Sequence, residues 1–295
     1  MRPIVIYAYN RPQYFQHTLS SLQDQIGESD VYLFVDGPRN QQDIQGIELS
    51  VQLFSKFIPK GKVFRSDRNL GVAFNQKRGR DFIFKDNDSA IFIEDDVVLT
   101  SYYIRMLNNL MDIVSDREVS MVSCFGESHR HPDMFQYLTY LTKNDDPFKQ
   151  QDINKYKICQ MEHVWAYGMF KRAYQDSMDI MGRYYEMLPQ EYRLRPHAQI
   201  YEYMESQGID SSKIVSSQDS CLSASLARKA YASISTFTAN MLYIGEWGEH
   251  SRPNIFQESW GNQNPFNEEV DVAKLDISED VMNQIHDYLE YRFLK

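Results

Sequence analysis

Residues 1–100 alternate between two hydrophobic rhythms. Four short apolar runs are Ile4 to Tyr9 (IVIYAY), Val31 to Gly37 (VYLFVDG), Lys62 to Ser66 (KVFRS) and Ala90 to Ile93 (AIFI). Their length and their β-branched and aromatic content are those of buried strands. Between them, Arg11 to Gln25, Ile44 to Ile58 and the later part of Asn69 to Phe84 read as helices, and Pro12 suits a first helical turn. Strands alternating with helices predict an α/β fold with parallel pairing and right-handed crossovers. In such sheets ligands bind beyond the carboxyl ends of the strands, near a switch point.

After Thr100 the pattern loosens. Tyr102 to Val114 reads as a helix, and Ser120 to Phe125 as a strand expected beside the Ala90–Ile93 strand. The polar stretch from Gly126 to Lys157, with His129 and His131, reads as a long loop suited to a lid. Ile158 to Phe170 returns to apolar and aromatic character. Helices are expected over Arg172–Met187, Pro196–Gln207, Gln218–Tyr231 and Ser278–Phe293. Ser251 to Asn267 is expected to be mobile, with Trp260 and Phe266 offering aromatic faces to a ligand. This organisation suggests one domain over residues 1–250, with a regular half over 1–100 and a looser half over 101–250, followed by a tail over 251–295.

Composition narrows the function. The chain has 295 residues and a net charge of −10, which disfavours nucleic acid as the main ligand because phosphate neutralisation needs a basic surface. Three cysteines, Cys124, Cys159 and Cys221, are odd in number and without CxxC spacing, so reduced, buried thiols are expected rather than a zinc site. The first strand begins almost at once, no leader pattern precedes it, and no apolar run has membrane-spanning length. A cytoplasmic protein is expected, and peripheral contact with the inner face of a membrane stays compatible with this.

The predicted strand ends carry the chemistry. Tyr9-Asn10-Arg11 follows the first, Asp36-Gly37-Pro38 the second, Asp67-Arg68-Asn69 the third, and Glu94-Asp95-Asp96 the fourth. Three adjacent acids raise one another's pKa, so they need either solvent or a divalent cation. Asp36 can accept a hydrogen bond from a base or ribose, or simply make a turn. Arg11 can meet a phosphate or carbonyl oxygen. Asp219 opens a predicted helix, where an acid is favoured by the dipole and could equally serve as a general base. His250 could be structural, or touch a metal or phosphate. The P-loop and dinucleotide fingerprints are both missing from the sequence.

In this order, IVIYAYNR (Ile4 to Arg11), VYLFVDG, AIFIEDDVVLT (Ala90 to Thr100), SMVSCFGE (Ser120 to Glu127), VWAYGMF (Val164 to Phe170), QDSCL (Gln218 to Leu222) and GEWGEHS (Gly245 to Ser251) resemble the GT-A inverting glycosyltransferases. The resemblance is to the α-mannosyl β-1,2-N-acetylglucosaminyltransferase type and to bacterial family 2-like enzymes, over about residues 3–251. It implies a GT-A fold: a Rossmann-like nucleotide-binding half and a mixed central sheet flanked by helices. It implies a Mn2+ or Mg2+ cofactor, with Asp96 and His250 on the metal side and Asp219 as catalytic base. Tyr9, Arg11, Asp36, Asp67, Arg68, Asn69, Glu94, Asp95 and His250 would line the donor, a UDP-sugar ahead of other nucleotide sugars. The acceptor would be a glycan or lipid-linked saccharide, as in polysaccharide biosynthesis. Tyr9 and Asn10 replace a small residue and an acid of the family, and Gln218 replaces an aromatic, which leaves the donor sugar open.

Two rival readings remain at this stage. A sugar-1-phosphate nucleotidyltransferase would share the nucleotide half and the metal acid, but Ala8 to Pro12 lacks the glycines of a triphosphate loop. A non-catalytic glycan-binding protein could keep the same fold, since fold alone does not fix function.

Overall fold

The computed structural model describes residues 1–126, 151–152, 154–248, 252–261 and 263–295. Among these, eight strands form one sheet in the order β3-β2-β1-β4-β8-β6-β9-β7. The first four in the chain are β1 (Ile4–Ala8), β2 (Val31–Val35), β3 (Lys62–Arg65) and β4 (Ser89–Glu94). They pair in parallel, with Ile4 opposite both Val31 and Ile91. Every residue of β1 and β2 is buried, whereas β3, at the edge, is partly exposed. The four apolar runs of the sequence thus form the parallel half, with β1 between β2 and β4.

The other half is mixed. β6 (Val119–Ser123), β7 (Ile158–Gln160), β8 (Ala166–Phe170) and β9 (Ala232–Thr236) complete the sheet. The Ser120–Phe125 strand, expected beside the Ala90–Ile93 strand, does not pair with it. β8 intervenes, antiparallel to both β4 and β6. Its five residues are all buried, as a central position requires, but burial gives no direction, so the sequence pattern cannot announce an antiparallel insertion. A separate two-stranded ribbon pairs β5 (Val97–Leu99) with β10 (Met241–Tyr243).

The helices are α1 (Pro12–Leu22), α2 (Gln41–Phe57), α3 (Gly71–Ile83), α4 (Tyr103–Ile113), α5 (Lys171–Met187), α6 (His197–Ser206), α7 (Gln218–Arg228), α8 (Pro253–Trp260) and α9 (Glu279–Phe293). α1 starts on Pro12 and buries Phe15, Leu19 and Leu22 at helical spacing. Asn40 and Asp43 form a capping box for α2. Within the segment expected to be mobile, α8 is helical; Pro253 opens it and Trp260 anchors its end in an aromatic cluster. The mixed α/β architecture flanked by helices agrees with the fold expected. All three cysteines are buried and free. Among the described residues no helix is long and apolar enough to cross a membrane.

Candidate active site

The parallel strands β1, β2 and β4 deliver their carboxyl ends to one edge of the sheet, and the acidic triplet lies there. Asp95 and Asp96 are each only 3% exposed. Arg11, from the β1–α1 junction, is ion-paired to both: to Asp95 Oδ1, and through Nη1 to Asp96 Oδ2 at 2.9 Å. The Tyr9 backbone N–H donates to Asp95 Oδ2 at 3.3 Å. Asp95 is thus held on both oxygens by the end of the first strand. Asp96 Oδ1, by contrast, is buried with no hydrogen-bond partner.

The electrostatics follow from burial. Burial raises the Glu94 pKa well above the usual carboxylate range, and the charges of Asp96, Asp219 and Asp95 add to this. Burial also pushes Asp96 up to about 6, although the Arg11 guanidinium pulls the other way. For Arg11, burial opposes the charge, but Asp95 and Asp96 more than offset it and the guanidinium stays protonated.

A divalent cation fits this donor set in part. Asp96 Oδ1 is a buried carboxylate oxygen lacking a partner, in a cluster with more negative than positive charge. No group of three His, Cys, Asp or Glu side chains is arranged to enclose a metal among the described residues. A hard cation held at Asp96 would therefore draw most of its ligands from outside the protein, as phosphate and water oxygens. His250 lies outside the described residues, as do His129, His131 and most of the Gly126–Lys157 loop.

Asp219, far along the chain, lies near enough to Glu94 for its charge to act on it. It sits in the first turn of α7, which Ser217 caps by accepting from the Ser220 N–H. The Gln218 N–H donates to Tyr192 Oη at 2.8 Å. The charge of Asp219 acts on Glu94 and on Tyr167, Tyr185 and Tyr192, raising the pKa of each after the larger effect of burial. Beside it, Gln218 is 1% exposed and both ends of its side-chain amide are unpartnered. Leaving a buried amide unsatisfied costs about 1–3 kcal/mol.

The other expected donor residues divide. Tyr9 Oη donates to Asp43 at 2.6 Å and Asn10 Nδ2 donates to the same carboxylate, with Arg39 over the Tyr9 ring. Their side chains thus brace the turn after β1. Asp36 receives four donors: the Gly37 and Leu70 N–H groups on Oδ1, and Asn69 Nδ2 and the Gly71 N–H on Oδ2. A carboxylate has about four lone-pair sites, so Asp36 is filled. It holds the Asn69–Gly71 turn at the start of α3. Asp67 and Arg68 are exposed, and no described hydrogen bond or ion pair joins them to the acids. Arg68 and Asn69 instead line a groove of about 800 Å³ between β3 and α3, with Arg65, Lys77 and Arg78.

A loop and an aromatic cluster close over the acids. The Ile244 N–H donates to Asp96 O at 2.8 Å, and Trp247 N–H to Tyr14 Oη at 3.1 Å. Gly245 passes so close that a Cβ there would stand 2.5 Å from Asp96 Oδ2. Tyr243, just before, stacks on Trp165 at 4.1 Å, and Trp165 stacks on His163 at 4.2 Å. Trp260 meets all three rings edge-on. Rings thus stack on Trp165 from Tyr243 and His163, and Trp260, half-buried, anchors α8 to this cluster.

Three features of this site were not read from the sequence: the Gln76–Arg80 pair, the β5–β10 ribbon and the Trp165 stack. Only the first left a signal. Ala73, Gln76, Arg80 and Ile83 follow helical spacing, so an amide and a guanidinium fall on the buried stripe of α3.

No protein-family model and no curated protein matches the sequence. Solved structures of similar shape include the mannosyltransferase PcManGT from Pyrobaculum calidifontis, in complex with GDP-Man and Mn2+. It is 14% identical with a TM-score of 0.43 over 79% of this chain and 54% of that one. GalNAc-T7, with UDP, GalNAc and Mn2+, is 11% identical with a TM-score of 0.48 over 85% of this chain and 45% of that one. Glucosyl-3-phosphoglycerate synthase from Mycobacterium tuberculosis, in complex with Mn2+, UDP and glucosyl-3-phosphoglycerate, is 13% identical with a TM-score of 0.35 over 59% of each chain. This chain spans between 45% and 59% of the length of these three proteins. The likeness is one of general architecture, and the roles of individual residues stand on the geometry of this chain.

Proposed function

We propose that this chain is a metal-dependent inverting glycosyltransferase that moves a sugar from a nucleoside diphosphate, UDP ahead of GDP or dTDP, to a hydroxyl of a glycan or lipid-linked saccharide. The observation that carries the reading is the convergence of Asp219 and Glu94. The charge of Asp219, at a helix start, acts on Glu94, at a strand end distant in sequence and two residues before Asp96, and this supports the reading. The order of motifs, that of the α-mannosyl β-1,2-N-acetylglucosaminyltransferase type, supports the same reading.

Asp96 would hold the cation through its unpartnered oxygen, with His250 as a second contact. A bound Mn2+ or Mg2+ supplies Lewis-acid stabilisation to the departing diphosphate. Asp95, fixed by Arg11 and the Tyr9 N–H, would face the ribose, and Glu94 the hydroxyls of the sugar. Asp36 contributes by setting the Asn69–Gly71 turn. Asp219 would take the proton from the acceptor hydroxyl, whose oxygen attacks the anomeric carbon from the face opposite the nucleotide. Inversion needs this base and a stabilised leaving group, with no protein nucleophile.

Isothermal titration with UDP, GDP and dTDP, each with Mn2+, tests the donor, and tighter GDP binding would reassign the nucleotide. Asp219→Asn is expected to keep donor affinity and lose on the order of a hundredfold in turnover. Equal loss of both would instead give Asp219 a folding role at the start of α7.

A further inference from the structure

Arg80 lies on α3 and is fully buried, at 0% exposure. No described carboxylate is within ion-pair distance of it. Its Nη2 donates to Gln76 Oε1 at 2.7 Å and to Tyr167 Oη at 2.7 Å, and its guanidinium lies 6.0 Å from the Phe92 ring centroid. Nε and Nη1 are buried without hydrogen-bond partners. Burying a charge without an opposite one is unfavourable, and a leucine or methionine would fill the same space without that penalty. Packing alone does not account for an arginine here.

What the arginine does is visible in Gln76, which is 2% exposed. Arginine has only donors, so the end of the amide that meets it must be the oxygen. The other end is then the NH2 group, and Gln76 Nε2 donates to Glu94 Oε1 at 2.8 Å. Turning the amide over would set N–H against N–H at Arg80 and oxygen against oxygen at Glu94. The backbone of Gln76 is clamped as well, because its carbonyl accepts from Tyr7 Oη at 2.9 Å. Tyr7 gains that approach across Gly79, where a Cβ would come within 2.5 Å of its hydroxyl.

We propose that Arg80 is a positioning residue that acts through Gln76 on Glu94. It fixes the amide so that Glu94 Oε1 always receives a donor, and Oε2 is left oriented toward the hydroxyls of the transferred sugar. Arg80 itself touches no substrate. The inference rests on the proposed glycosyl transfer, in which Glu94 meets the sugar and not the nucleotide. Arg80 should therefore govern the contribution of the sugar to donor binding and leave that of the nucleotide alone.

The test compares Gln76→Leu, Arg80→Met and Arg80→Lys with the wild type. Titration with UDP plus Mn2+ reads the nucleotide, and titration with UDP-glucose and UDP-N-acetylglucosamine plus Mn2+ reads nucleotide and sugar together. Gln76→Leu and Arg80→Met are expected to change UDP affinity by less than about twofold. They are expected to lower the ratio of UDP-sugar to UDP affinity by about tenfold, the worth of one well-placed hydrogen bond. Arg80→Lys keeps a donor toward Gln76 and should recover part of that loss. Parallel loss of UDP and UDP-sugar affinity, or an unchanged ratio, overturns the proposal. If Arg80→Met fails to fold by circular dichroism, Gln76→Leu decides alone. If the wild type binds neither UDP nor UDP-sugars, it is the proposed function that fails. The relay is then read in the ligand-free protein, by the melting of Gln76→Leu, Glu94→Gln and the double variant. Non-additive shifts support the relay and additive ones overturn it.

Discussion

At the scale of single residues, the site holds charges that the fold alone does not favour. Asp96 has a folded pKa of about 6, against an ordinary value near ~3.9. A carboxyl raised in this way binds its proton more tightly when folded. It therefore costs stability at high pH, and the cost disappears as pH falls below the unfolded value. Asp96→Asn is expected to stabilise the metal-free protein at pH ~8 by on the order of 1–3 kcal/mol, with no difference below pH ~4. Urea denaturation at the two pH values checks this. Equal destabilisation at both would mean that the Arg11–Asp96 pair carries net stability. Arg11 poses the complementary question, because it lies between the two aspartates that a cation would approach. Arg11→Gln removes a competing charge a few ångströms away, so Mn2+ in the absence of nucleotide is expected to bind on the order of tenfold or more tightly. Paramagnetic resonance of free Mn2+ measures it. Unchanged affinity would show that the guanidinium and the ion do not compete.

At the scale of elements, the acids depend on pieces that hold them from both sides. Asp36 ties the end of β2 to the start of α3 through four hydrogen bonds, and α3 then carries Gln76 to Glu94. On the opposite side, α8 is fastened by Trp260 to the Tyr243–Trp165–His163 stack, and Tyr243 precedes the loop that covers Asp96. Edge-on and stacked pairs are each worth about 0.5–1.5 kcal/mol beyond buried area. Trp260→Ala is therefore expected to lower stability by about 2 kcal/mol and to weaken UDP binding with Mn2+. Lost stability with unchanged UDP affinity would confine Trp260 to packing. Legibility differed between these elements for a physical reason. β1 and β2 are apolar throughout, β4 is apolar from Ala90 to Ile93, and all three are followed by or end in polar groups, so a linear pattern showed both the strands and the acids. β8 also showed as apolar, but its direction did not, because burial has no sign along the chain. Asp36 was legible as a polar strand end, while its partners Leu70 and Gly71 donate from the backbone, which no side-chain pattern records. The covering of Asp96 by Gly245 and the stacking of Trp165 arise from tertiary contacts between distant segments, and neither has a local period.

At the scale of the whole molecule, one edge of one sheet collects the chemistry. The parallel strands bring Arg11, Asp36 and the acidic triplet there, and β8, running the other way, begins at the same edge, where the Glu94 N–H donates to Trp165 O at 2.8 Å. The parallel half is held by a continuous core, whereas the 244–248 loop touches the acids through few bonds: Ile244 N–H to Asp96 O, Trp247 N–H to Tyr14 Oη, and Arg11 Nη1 to Trp247 O at 3.4 Å. Arg11 and Asp96 both belong to the proposed donor site, so two of those three contacts would feel a bound nucleotide. Local opening follows the number of buried contacts that resist it, so this loop should exchange its amides faster than β1 or β4. A ligand that binds only the closed arrangement slows opening in proportion to its saturation. UDP with Mn2+ is expected to lower amide exchange in residues 244–248 and 252–261, at least tenfold at about a hundred times the dissociation constant. α9 packs on α7, β7 and β9 and should be unchanged, which makes it the internal reference. Mass spectrometry of exchanged peptides with UDP alone, Mn2+ alone and both together reads the result. Protection by the pair but by neither alone would mean that loop and cation close on the nucleotide together. Equal protection everywhere, α9 included, would mean only that the ligand stabilises the fold. No protection in the loop would leave the acids open after binding, and the acceptor would then be held by the rigid sheet edge.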